Sequence, residues 1–254
     1  MKFIILGCGS SMGVPRADGF FGECDSRNFK NYRSRCSALI KFKKFNILID
    51  TSPDLRLQLL KNNIKNIDKV LYSHLHADQT HGINDLRIFF LNTRKKIDVY
   101  ADSVTQKYLL NTFSYCFKDK DSYPAILKMN KIKKNLNFHN KKISIKSIPV
   151  RHGNIKSLSF IINNEIGYAP DVNEIFKKDF KYFMKLKYLV IDCLRYKKHP
   201  SHFNLDDILV LNQKLQPKNM ILTNLHSDLD YKRLLKILPK NIKPAYDGLT
   251  INTN

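Results

Sequence analysis

Ser73-His74-Leu75-His76-Ala77-Asp78-Gln79-Thr80-His81-Gly82 sets three imidazoles and a carboxylate within eight positions. The apolar run Lys69-Val70-Leu71-Tyr72 before it reads as a buried strand, and Ile83 to Phe90 after it has helical spacing. In extended backbone His74 and His76 point the same way, so both can grip one cation. Asp78 lies where the chain turns and can face a second. Neutral imidazole and carboxylate suit zinc, manganese or iron. A lone histidine is an ordinary core or surface residue; three of them around an aspartate point to a metal centre.

Such a centre needs more than one turn. Val150-Arg151-His152-Gly153, Tyr168-Ala169-Pro170-Asp171 and Leu222-Thr223-Asn224-Leu225-His226 each end an apolar run with a donor. Singly, each is an ordinary turn aspartate or strand-end histidine.

His-x-His-x-Asp resembles the central motif of the metallo-β-lactamase-fold hydrolases. Gly7-Cys8-Gly9-Ser10-Ser11-Met12-Gly13-Val14-Pro15, Leu48-Ile49-Asp50-Thr51-Ser52-Pro53-Asp54-Leu55-Arg56 and His81-Gly82-Ile83-Asn84-Asp85-Leu86-Arg87 resemble the branch that contains phosphoribosyl cyclic phosphodiesterase, the PhnP-type proteins. The likeness runs from Gly7 to His226. It implies an α/β (α+β) fold, a four-layer αβ/βα sandwich, with one or two zinc or manganese ions per chain. Carried over, His74, His76 and His152 hold one metal, Asp78 and His226 the other, and Asp171 bridges them. Asp50 matches a strand-end aspartate that orients the histidine turn. His202, in Pro200-Ser201-His202-Phe203-Asn204-Leu205, is expected to be a general acid or a phosphate contact; the alternative is an exposed histidine in an Asn204-capped loop. His199 and His139 are incidental.

Two departures stand out. Gln79 occupies the place of a family histidine that binds the second metal, and a neutral amide carbonyl is a poorer ligand. His81, three residues beyond Asp78, either substitutes or supports Asp78. The first long loop carries only Cys24 where PhnP-type proteins have a cysteine cluster, so no structural zinc is expected.

The expected chemistry is phosphodiester hydrolysis. A metal-bound water loses its proton near neutral pH and attacks phosphorus. Asp78 ligates and orients it, and His202 protonates the departing alkoxide. The substrate is expected to be a small anionic phosphodiester. Alternatives are an RNA-processing nuclease of the tRNA 3′-end type, a thioester or lactone hydrolase, and a degenerate, non-catalytic metal-binding protein.

The 254 residues suffice for one large domain, and no linker divides them, so a single domain over 1–254 is expected. No apolar run is long enough for a membrane span. Met1-Lys2-Phe3-Ile4-Ile5-Leu6 leads straight into a glycine turn and reads as a first strand, not a signal peptide. Five cysteines, an odd number without a Cys-x-x-Cys pair, fit reduced thiols in a cytoplasm. The net charge is +22, from 44 basic and 22 acidic residues. Only 10 of the basic residues are arginine, so the excess reads as lysine-rich drift more than a built phosphate groove. It favours anionic substrates and, more weakly, RNA. Arg33 and Arg35 are open between phosphate contact and structural pairing. A homodimer is allowed.

Strands are expected at Phe3–Cys8, Ser37–Phe42, Phe45–Ile49, Lys69–Tyr72, Asp98–Ala101, Ile143–Val150, Leu158–Asn163, Ile166–Ala169, Tyr188–Leu194, Met220–Asn224 and Ala245–Ile251. Helices are expected from Pro53, through Leu91, from a Ser103 cap to about Phe117, and at Glu174–Leu186, Leu205–Leu215 and Tyr231–Leu238. Lys118–Lys142 reads as a lysine-rich surface hairpin or insertion.

Overall fold

The computed structural model describes residues 1–120 and 123–253. The chain forms two compact units, one of residues 1–7, 37–132 and 248–254, the other of residues 8–36 and 133–247.

In the first unit seven strands form one mixed sheet: β1 (Lys2–Gly7), β2 (Ser37–Phe42), β3 (Phe45–Ile49), β4 (Lys69–Leu71), β5 (Ile97–Ala101), β6 (Leu127–Lys131) and β14 (Leu249–Asn252), ordered β14-β1-β2-β3-β4-β5-β6. β14, β1, β2 and β3 pair antiparallel, and β3 to β6 run parallel. The β2–β3 hairpin turns at Lys43, whose φ of 56° is left-handed. Leu39, Leu48, Val70 and Val99 of the sheet form a core with Leu55 and Leu59 of α1 (Leu55–Lys61), Phe89 and Phe90 of α3 (Arg87–Thr93) and Leu109 of α4 (Ser103–Thr112). The histidine turn itself holds a short α2 (Ala77–Thr80), and the helix expected from Ile83 through Leu91 is divided into a 3₁₀ turn (Ile83–Leu86) and α3.

The second unit repeats the plan. β7 (Asn135–Phe138), β8 (Ile143–His152), β9 (Ile155–Ile162), β10 (Ile166–Ala169), β11 (Tyr188–Asp192), β12 (Asn219–Thr223) and β13 (Ile242–Pro244) stand in the order β13-β12-β11-β10-β9-β8-β7. β7 to β10 pair antiparallel, and β10 to β13 run parallel. Leu205, Ile208, Leu211 and Leu215, spaced for one face of α6 (Leu205–Leu215), join a core with Leu189, Ile191, Met220 and Leu222. Asn204 starts α6 through a reciprocal capping box with Asp207.

Several expectations need correction. The helix from 103 is capped by Asp102, not Ser103; its carboxylate accepts from the Thr105 N–H. That helix breaks at Phe113 into α4 and α5 (Ser114–Phe117), with Leu109 and Cys116 buried. Lys118–Lys142 is not a surface insertion. Apart from residues 121 and 122, which lie outside the described residues, it supplies β6 to one sheet and β7 to the other, and Ala125, Ile126, Leu127, Leu136 and Phe138 are buried. Lys128 and Lys131 are exposed on β6, and its other lysines lie in the connections outside the strands. Glu174–Leu186 forms only a 3₁₀ segment, Lys177–Tyr182. Asn173 and Glu174 are drawn into extended pairing with Arg151, and Lys185 has φ 54°, so no α-helix can span the stretch. The closing strand starts at Leu249, after a turn at Asp247 and Gly248 with φ 89° at the glycine.

Asp247 anchors the long loop of residues 8–36. Its carboxylate accepts from Cys8 N (3.1 Å), Ser34 N (2.8 Å) and Ser34 Oγ (2.6 Å). Burial pushes it up to about 6 against the pull of those donors. A carboxyl raised on folding lends stability in full below its unfolded value, and that stability is lost as pH rises through the folded one. The stability difference between wild type and Asp247→Asn should therefore move against wild type from pH 4 to pH 7, by up to about 3 kcal/mol. Urea unfolding at several pH values reads this slope; parallel curves for the two proteins would refute it.

Candidate active site

In the first unit the donors collect where β3 and β4 end. Asp50, the residue after β3, is fully buried with φ 63°. Its Oδ1 accepts from the Ser73 N–H at 2.7 Å, and its Oδ2, also buried, has no hydrogen-bond partner among the described residues. Burial raises its carboxyl to about 8, with the Asp78 charge adding to the shift and the Ser73 donors opposing it. Asp50 thus reaches the histidine turn through Ser73, whose Oγ meets His74 Nδ1 at 3.0 Å. His74 Nε2 and His76 Nδ1 are turned toward each other at 2.9 Å, and the two rings stand edge to face at 4.5 Å. Thr51 N–H donates to the Gln79 carbonyl and Gly82 N–H to the Thr51 carbonyl, which ties the far side of the turn to the β3 end.

Gln79 is buried, and its amide donates to Asp78 Oδ2 at 3.2 Å. The side chain therefore holds the carboxylate. His81 turns elsewhere: its Nε2 meets the Tyr108 hydroxyl at 3.0 Å and its ring packs on Phe113.

In the second unit His152, Asp171 and His202 form a cluster, with ligand atoms within 4.8 Å of one another. They come from the end of β8, the turn after β10 and the loop before α6. His152 Nδ1 donates to the Ser201 carbonyl at 2.7 Å, which puts the lone pair on Nε2. His202 Nδ1 meets Asp192 Oδ2 at 2.6 Å, and its ring lies 4.7 Å from that of His152. Asp192 is fully buried at the end of β11, and its second donor to the same oxygen is the Val172 N–H at 3.0 Å. Burial pushes its carboxyl up to about 6, with the His202 charge pulling the other way. Asn224, with φ 61°, donates to Asp171 Oδ1 at 3.2 Å and to the Pro170 carbonyl at 3.0 Å.

His226 stands apart from that cluster, its Nδ1 3.2 Å from Asp228 Oδ1. Arg33 is enclosed and serves this loop: its guanidinium donates to the His226 carbonyl (3.3 Å), the Leu229 carbonyl (2.7 Å) and Asn31 Oδ1 (3.0 Å). Of its two sequence readings, structural pairing is the one realised. Asp192 escaped sequence reasoning. Its only signal is a carboxylate inside the apolar run Tyr188-Leu189-Val190-Ile191-Asp192-Cys193.

The donor chemistry fits divalent metal. Each unit presents imidazole nitrogens beside carboxylates, the Ser201 carbonyl sets the His152 tautomer, and Asp50 Oδ2 adds an orphaned buried oxygen behind the histidine turn.

Residues 45–224 match the family model described as a beta-lactamase superfamily domain, and the chain belongs to that superfamily, a class of hydrolases with the metallo-β-lactamase fold that implies a divalent metal. Within it, the chain is PhnP-like. A diphosphatase from the PhnP family superposes with a TM-score of 0.89 at 29% identity, covering 100% of this chain and 98% of that one. Zinc-bound PqqB from Methylobacterium extorquens (TM-score 0.78, 15% identity, 100% of both chains) and the short form of human tRNase Z (0.72, 16%, 99% of both) share the fold. A curated relative from Porphyromonas gingivalis strain W83, an octanoyltransferase, is 31% identical over 98% of this chain, which spans 51% of that relative's length. No helix among the described residues is long and apolar enough to cross a membrane.

A Cβ at Gly82 would lie 2.0 Å from the Ser52 carbonyl oxygen. Gly82→Ala must push the β3 end away from the histidine turn. A loss of about 1–3 kcal/mol in urea unfolding, together with weaker zinc binding by competition with a chromophoric chelator, is the expected result. Unchanged values in both measurements would show that the close approach does not matter.

Proposed function

We propose that residues 1–254 act as one metal-dependent phosphodiesterase domain. In this reading His74, His76 and His152 would hold one ion and Asp78 and His226 a second, with Asp171 a ligand available to both, and zinc or manganese would be the metal. The observation that carries the reading is the His152–Asp171–His202 cluster, in which His202 is held through Nδ1 by the buried Asp192. That bond orients the ring and stabilises its protonated form, as a general acid requires. Bound divalent metal supplies the Lewis acid that polarises a phosphoryl oxygen and lowers the pKa of water. The protein's own groups do the rest. Gln79 fixes Asp78, and Asn224 fixes Asp171, each through one amide donor. His202 delivers its proton from Nε2 to the departing alkoxide oxygen, and the Asp192 carboxylate stabilises the imidazolium beforehand.

The PhnP-family diphosphatase supports a phosphate ester or anhydride as the substrate class. The octanoyltransferase relative is about twice as long as this chain, so its named activity is not carried over.

His76→Ala and Asp171→Ala should reduce hydrolysis of bis-p-nitrophenyl phosphate to background, as should chelation, with recovery on adding zinc or manganese. Full turnover by protein shown to be metal-free by elemental analysis would overturn the proposal. His202→Ala separates the acid from the ligands. Loss of about 10²–10⁴-fold is expected for a diester with an alkyl leaving group, and a much smaller loss for p-nitrophenolate, which leaves without a proton. Equal losses on both substrates would remove His202 from the acid role.

A further inference from the structure

The second unit carries a basic groove that the hydrolytic cluster does not use. It encloses about 550 Å³, and Arg151, Lys156, Phe176, Lys177 and Lys178 line it. Along β8, Ile148, Val150 and His152 are buried, whereas Pro149 and Arg151 alternate with them and face the groove. The groove is therefore on the side of β8 opposite His152. Arg151 pairs with Lys156 across the β8–β9 ladder, so two cations stand side by side.

Aromatic rings are set among these charges. The Arg151 guanidinium lies 5.7 Å from the centre of Phe176. The 3₁₀ segment Lys177–Tyr182 continues the surface to Tyr182, and Lys134, Lys146 and Lys181 lie 5.0, 5.8 and 5.4 Å from that ring. The two residues are six apart, a backbone rise of roughly 12 Å at about 2 Å per residue. Acid is scarce here: Glu174 is tied to Arg151 at 2.6 Å, and Asp179 is buried. The groove lined by Lys65, Asp68, Lys69, Lys95 and Lys96 in the first unit has carboxylates on Lys69 and Lys96 and no ring beneath a cation among the described contacts.

Cations interleaved with partly exposed rings are what a single-stranded nucleic acid needs: ammonium groups for phosphates and π-faces for bases. We infer that the surface from Arg151 and Lys156 through Phe176 to Tyr182 binds single-stranded RNA. Asn154 at the groove supplies an amide able to pair with a ribose 2′-hydroxyl, which favours RNA over DNA. A small phosphodiester has no use for a second ring two 3₁₀ turns further along the segment. Binding here stands whether or not the strand is the ester that is cleaved, and the two are tested apart.

Fluorescence anisotropy of a 5′-labelled 12-nucleotide RNA with the full chain tests the inference. The double variant Lys177→Glu/Lys178→Glu should weaken binding at least tenfold and lower the slope of log affinity against log salt by about 1.4, the value for two lost phosphate contacts. Phe176→Leu, which keeps an apolar side chain and removes the ring, should cost about tenfold. Lys65→Glu/Lys95→Glu, at the groove of the first unit, should change affinity less than twofold. Bis-p-nitrophenyl phosphate turnover should match wild type in all three, which also reports an intact fold. Equal weakening by the control pair would reduce the affinity to net charge and overturn the proposal. Wild-type affinity in Phe176→Leu, or equal binding of DNA or inorganic polyphosphate, would also overturn it.

Discussion

A carboxylate withdrawn from water at the end of a parallel strand is the constraint on which the donor cluster of each unit depends. Asp50 follows β3 and Asp192 ends β11, and neither has measurable exposure. Each accepts a backbone N–H from a neighbouring turn, Ser73 for Asp50 and Val172 for Asp192. Each also acts on a histidine, directly for His202 and through Ser73 for His74. Burial makes ionisation costly, and the donors lower that cost only in one geometry. The turns are therefore held where the carboxylates are satisfied, and the imidazoles inherit their orientation from them.

This device resolves the apparent conflict at Gln79. A glutamine where the family has a ligand histidine looks like a lost metal contact. In the structure its side-chain amide N–H donates to the Asp78 carboxylate while its main-chain carbonyl accepts from the Thr51 N–H. The residue has exchanged ligation for support of the neighbouring donor. His81, the other candidate for the vacated role, is engaged by Tyr108 and Phe113.

The strands at Ser37–Phe42, Phe45–Ile49 and Ile166–Ala169 and the helix Leu205–Leu215 were legible to the residue, because apolar periodicity, a Lys-Lys turn and an Asn cap all agreed there. The family was legible because His74-x-His76-x-Asp78 sits in one unbroken stretch. What stayed hidden depends on distant pairing. The helical pattern of Glu174–Leu186 loses to the Arg151–Glu174 bridge, and the lysines between 118 and 142 mask two strands whose inward residues are Leu127, Leu136 and Phe138. Asp192 was hidden because its partner, His202, is ten residues away across a loop. Arg33 stayed open between phosphate contact and structural pairing because sequence shows a charge and not its enclosure.

The pairing of β1 with β14 joins Lys2 to Asn252 in one ladder. On a ribosome, β1 waits for β14, and residues 8–36 and 133–247 of the second unit emerge before that partner does. Closure of the first sheet is thus a late, long-range event in the life of the nascent chain, and until then the outer hydrogen-bonding edge of β1 is a strand edge open to the wrong neighbour. A lysine at position 2 on that edge is the kind of charge that discourages such pairing.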